Sequence, residues 1–109
     1  MVDATLLAAL LDSLDAPLLF ADTGHVIRYM NQAAVAHYEE GAALLGRSLL
    51  DCHDEGSCRA IEEVLVTLRE GEVERLITQE ETRRIYMRAV RDADGRLLGY
   101  YERYEPVTR

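Results

Sequence analysis

Residues 73–104 carry three strand patterns in direct succession, and a chain with such an ending must build an antiparallel sheet. Val73 to Gln79, Arg83 to Arg91 and Leu97 to Tyr104 are the three runs. Glu80-Glu81-Thr82 forms a polar tip between the first two, and Asp92-Ala93-Asp94-Gly95 is a strong turn signal between the last two. In the middle run Ile85, Met87 and Ala89 alternate with Tyr86, Arg88 and Val90. Neither face of that strand is cleanly polar, so both are expected to be covered. Two further strands sit near the start, where Leu18 to Asp22 and His25 to Met30 flank Thr23-Gly24 and predict a hairpin.

Helical patterns fill the rest. Asn31 can cap a short helix over Gln32 to Tyr38, and Gly41 and Gly46 break the chain into short helical pieces around Leu44-Leu45. From Ser57 to Glu70, Cys58, Ile61, Val64, Leu65 and Leu68 form an inner face, with Glu62, Glu63, Arg69 and Glu70 outward. Ser57 is the expected cap of that helix and Gly71 its end. At the N-terminus Leu6, Leu7, Leu10, Leu11 and Leu14 make one apolar stripe, capped by Asp3 or Thr5 and stopped before Pro17. That stripe can lie on its own domain or form a dimer seam, and periodicity does not name the partner. The element order predicts an α+β fold. Strands from both ends join one five-stranded antiparallel sheet, with short helices on one face and an N-terminal amphipathic helix. Residues 1–15 form that dimerisation helix and residues 16–109 the domain. The sheet face turned from the helices is the expected seat of the leucine helix.

With 109 residues the chain has room for one domain. Twenty acidic against twelve basic side chains leave a formal charge of −8, which argues against a nucleic-acid partner, since phosphate binding needs clustered Lys and Arg. No apolar run approaches the ~18–20 residues of a membrane span, and residues 1–14 lack the basic start and cleavage site of a signal peptide. Cys52 and Cys58 make no disulfide framework, and a C-x5-C spacing does not suit a zinc knuckle. Two free thiols suit a reducing compartment, so a cytoplasmic location is expected.

Four segments resemble the PAS domain in the same order and spacing. They are the opening hairpin Pro17 to Val26, the strand-to-helix junction Tyr29-Met30-Asn31-Gln32-Ala33-Ala34, the step Leu44-Leu45-Gly46-Arg47-Ser48-Leu49, and the final hairpin Arg91 to Gly99. The resemblance spans nearly the whole chain. It implies sensing of a small ligand or redox state, dimerisation and a signalling effector as partner, without catalysis. The end departs from the family's Asp-Ile-Thr: Tyr104-Glu105-Pro106-Val107-Thr108-Arg109 keeps only the Thr, and Pro106 interrupts any helix running through it.

The segment Leu50-Asp51-Cys52-His53-Asp54-Glu55-Gly56-Ser57-Cys58 precedes the long helix, whose inner face would line a PAS cavity. Its C-H-x-x-x-S pattern resembles a PAS subgroup of bacterial signalling proteins. Neutral imidazole and thiolate are both axial ligands of haem iron, so His53 and Cys52 are candidates, with Met87 as a possible second ligand. His53 can equally cap a turn or pair with Asp51 or Asp54. Covalent haem is excluded by the absence of C-x-x-C-H. Cys52 and His53 are neighbours and point apart in an extended segment, which gives no nucleophile and base. His25 is expected on a solvated hairpin tip. Arg84, Arg88 and Arg91 can hold an acidic ligand or balance carboxylates, and Tyr86, Tyr100, Tyr101 and Tyr104 suit a pocket or a dimer face.

Overall fold

The computed structural model describes residues 3–107, apart from the side chain of Cys52. Met1, Val2, Thr108 and Arg109, which the expected domain bounds include, lie outside the described residues. The elements run α1 (Ala4–Asp12), β1 (Leu19–Asp22), β2 (Ile27–Met30), α2 (Gln32–His37), two single 3-10 turns (Gly41–Leu44 and Leu49–Cys52), α3 (Glu55–Arg69), β3 (Glu74–Gln79), β4 (Arg83–Arg91) and β5 (Leu97–Pro106). The strands form one antiparallel sheet in the order β2-β1-β5-β4-β3, so β5 closes the C-terminal meander onto the N-terminal hairpin.

An aspartate braces each of two hairpin turns. In the first hairpin Asp22 accepts from the amides of Gly24 and Val26 at 2.9 and 3.0 Å. In the last, Asp92 accepts from Asp94 and Arg96, both at 2.9 Å, and Gly95 takes a φ of 86°. The cap of α3 is a correction to the sequence reading. Asp54, not Ser57, stands in extended backbone before the helix and accepts from the Ser57 amide at 2.7 Å. A carboxylate suits the positive end of the helix, and these bonds hold Asp54 below the usual carboxylate range. At the other end Arg91 donates to the carbonyl of Leu68.

One core lies between the sheet and α2, the 3-10 turns and α3. Leu19, Ala21, Ile27, Ala34, Leu65, Leu68, Met87 and Tyr100 are among its buried members. Gly99 is required where β5 passes β1, because a Cβ there would stand 2.1 Å from the carbonyl oxygen of Ala21.

The outer sheet face is divided. Around β1 and β2 it is apolar, with a hollow of about 400 Å³ bounded by Leu18, Phe20, Tyr29, Val90, Tyr101 and, from α1, Leu11. Around β3 to β5 it is an ion ladder: Glu74 pairs with Arg88 and Arg103, and Glu105 with Arg103 and Arg84, at 2.9–3.4 Å. Arg103 also lies over the Tyr86 ring at 4.3 Å. Arg84 and Arg88 therefore balance carboxylates, while Arg91 donates to backbone carbonyls.

Helix α1 buries none of its residues, and Leu6, Leu7, Leu10 and Leu14 are each about half exposed. Its ties to the body sit at its C-terminal end. Asn31, fully buried, accepts from the amides of Ala34 and Leu18 and donates to the carbonyls of Leu11 and Ala16, all at 2.8–3.1 Å. Asp12 accepts from the Gln32 amide at 2.9 Å and the Tyr29 hydroxyl at 3.4 Å.

Candidate functional site

Strand alternation on β5 aims Tyr100, Glu102 and Tyr104 inward and Tyr101, Arg103 and Glu105 outward. Glu102 faces Met87 across the β4–β5 ladder, and Tyr104 faces Ile85. A carboxylate thus sits between two tyrosines on the core side of the central sheet. Burial raises its pKa, opposed by the nearby charge of His53 and a hydrogen bond from Tyr104. The Tyr104 hydroxyl donates to Glu102 at 3.3 Å, and the Tyr38 hydroxyl lies 2.9 Å from that of Tyr104. Burial pushes the phenol of Tyr104 far above its ordinary range, so it remains a donor.

His53 approaches from the other side. It follows the second 3-10 turn, and its Nδ1 lies 2.8 Å from the carbonyl of Leu49. A carbonyl only accepts, so Nδ1 carries the hydrogen, and in the neutral ring Nε2 presents a lone pair. No other described residue is hydrogen-bonded to Nε2.

His53 and Glu102 both line two small cavities. One, of about 120 Å³, is walled by Leu19, Ile27, Leu44 and Leu49, with Tyr38, Glu39 and Glu40 at its side. The other, of about 130 Å³, reaches under α3 to Ile61, Ile77 and Ile85, with Ser57 and Thr78 supplying hydroxyls. A dry protein cavity of about 150 Å³ takes benzene, so each is the right size for a single ring or a short chain.

A family model described as a PAS domain matches residues 7–108. The chain belongs to the PAS-domain family. Solved structures agree on the fold. A C-terminal domain from Streptococcus mutans is 20% identical with a TM-score of 0.77, covering 96% of this chain and 85% of that one. The PAS domain of BvgS from Bordetella pertussis is 22% identical with a TM-score of 0.66, covering 96% and 86%. A sensory box sensor histidine kinase from Vibrio cholerae is 18% identical at the same TM-score, covering 96% and 91%. No curated protein matches the chain. PAS domains are sensory and signalling modules, and that general role is this chain's.

The PAS core brings together only some of the residues read from the sequence. His53 faces the cavities, whereas Met87 is fully buried and lines neither. The side chain of Cys52 lies outside the described residues. Cys58 is a free, half-buried thiol whose Sγ donates to the carbonyl of Leu50 at 3.2 Å. Both cavities beside His53 are smaller than the ~300 Å³ at which pockets for larger ligands begin. Among the described residues no group of three or more His, Cys, Asp or Glu side chains could hold a metal ion. His25 is half-buried rather than on a solvated tip: its Nδ1 lies 2.8 Å from the Tyr100 hydroxyl, and the ring meets Tyr100 edge-on. A φ of 66° at the hairpin turns it inward. Glu102 was missed by the sequence reading, although alternation from Tyr100 to Tyr104 was the signal that could have found it.

Proposed function

We propose that this PAS domain is the input module of a signalling protein, that its cavities beside His53 bind a compound of about benzene's size, and that two copies associate through α1. The observation that carries the ligand reading is the meeting of both cavities at one imidazole and one buried carboxyl, Glu102. A core built only for stability would close these spaces with methyl groups, because voids forfeit packing. The exposed leucines of α1, beside an apolar hollow on the outer face, support a homodimer. The acidic charge favours a protein effector over nucleic acid, and a cytoplasmic setting suits two cysteines without a disulfide framework. No helix among the described residues is long and apolar enough to cross a membrane.

A screen of single-ring and short-chain fragments by ligand-observed NMR tests the input. Hits that His53→Ala abolishes are expected. A screen without hits would leave a ligand-free interaction module. Haem is the other reading: the Aer2 receptor of Vibrio cholerae, 18% identical with a TM-score of 0.56, is described as a dual PAS-haem oxygen sensor. The cavity sizes here speak against it. Added haemin is expected to give no Soret band that depends on His53, and such a band would reinstate haem.

A further inference from the structure

The cavity beside β1 and β2 has a one-sided chemistry. Its walls are four aliphatic side chains, its charged residues are Glu39, Glu40 and Glu102, and no Lys or Arg lines it, although Glu40 is already paired with Arg47 at 2.7 Å, which leaves Glu39 and Glu102 as the open carboxylates. The proton of Tyr104 is committed to Glu102 and that of Tyr38 to Tyr104. In its neutral form His53, which lines the space, donates from Nδ1 to Leu49 and keeps Nε2 as an acceptor. A bound molecule therefore meets acceptors and negative charge at its polar end and hydrocarbon elsewhere. Low-dielectric walls strengthen that field. The neighbouring cavity differs, since Ser57 and Thr78 offer hydroxyl donors there.

Resting on the ligand reading above, we infer that the cavity bounded by Leu19, Ile27, Leu44 and Leu49 recognises a small organic cation, an aliphatic or single-ring amine of about six non-hydrogen atoms. Its ammonium donates to the Glu102 carboxylate and to Nε2 of His53, and its hydrocarbon lies on the leucines. An amine in this position also favours the ionised form of Glu102, which burial alone disfavours.

Three probes of one shape separate the possibilities: cyclopentylamine, cyclopentanol and cyclopentanecarboxylate, each titrated into the ¹⁵N-labelled protein near neutral pH. Saturable shifts at the amides of Leu44, Leu49 and His53 are expected with the amine. The alcohol should bind at least about tenfold more weakly, the loss of one charge-assisted hydrogen bond, and the carboxylate more weakly still. Glu102→Gln should abolish the preference for amine over alcohol. Glu39→Gln, on the exposed rim, should lower amine affinity severalfold and serves if Glu102→Gln does not fold; Glu40 is left in place because it pairs with Arg47. Equal binding of alcohol and amine, or an unchanged preference in Glu102→Gln, overturns the cation and leaves the ligand reading standing. Failure of all three probes removes both.

Discussion

The side-chain amide of Asn31 donates to the carbonyl of Leu11 at 3.0 Å, so the buried cap of α2 also holds the last turn of α1. Asn31→Asp separates the two duties. The Oδ1 that caps Ala34 survives, while the donor facing Leu11 and Ala16 becomes an acceptor facing two carbonyls. A loss of about 2 kcal/mol is expected from urea unfolding, with faster amide exchange throughout α1 and little change in α2. Equal exchange in both helices would contradict the latch.

Gly99→Ala should be among the most damaging single substitutions in the sheet. The new methyl would meet backbone at Ala21 and the ring of Phe20 at 2.7 Å, and a strand backbone cannot rotate away as a side chain can. About 3 kcal/mol of stability is expected to go, read as a lower urea midpoint. A wild-type midpoint would mean that β1 and β5 part there without cost.

Two partly buried groups give stability opposite dependences on pH. Burial raises the pKa of Glu102, with His53, Tyr104, Arg83 and His37 opposing it. The folded state holds this proton more tightly than the unfolded one. The contribution is therefore complete below the unfolded value of 4.5 and is lost as pH rises through the folded value. Glu102→Gln should gain on the wild type over that rise and then run parallel to it. Burial instead lowers the pKa of His25, while Glu62 and Asp22 raise it and Arg69 lowers it. Its contribution is present above 6.5 and is lost as pH falls through the folded value. His25→Asn, which tolerates the left-handed backbone, should flatten that acid slope. Unfolding measured across pH checks both signs.

The leucine stripe is tested by Leu7→Glu with Leu10→Glu. Both side chains are half exposed in the single chain, so the fold should survive with an unchanged urea midpoint at concentrations where the protein is monomeric. Self-association should weaken by at least about a hundredfold in sedimentation equilibrium, given ~1.5–3 kcal/mol for each buried leucine. An unchanged dimer would place the seam elsewhere.

Most of the fold was legible because each turn announces itself locally. Asp22, Asp92 and Gly95 act within a few residues of their own position, as does Asn31 in capping Ala34 though not in holding Leu11, and the periodicity of each strand and helix is written in its own segment. The cap of α3 was misplaced by three residues because Asp54 and Ser57 are both good caps in one short stretch. The cavities were not legible, since empty space is a property of packing among Leu19, Leu44, Ile61 and Ile85, residues far apart in the chain. His53 was found as a type of residue that binds things. Glu102 was passed over because, in a strand rich in charge, only its register opposite Met87 shows that it faces inward.

Helix α1 is anchored at Leu11 and Asp12, while Leu6 and Leu7 stand clear of the body. Mechanically it is a cantilever of nine residues, about 13 Å long. Its clamp, Asn31, is the first residue after β2, four residues past Ile27 in the cavity's apolar wall. A tilt of 5° at that clamp would sweep the free tip through about 1 Å, so a displacement too small to disturb the core would be magnified at the leucines.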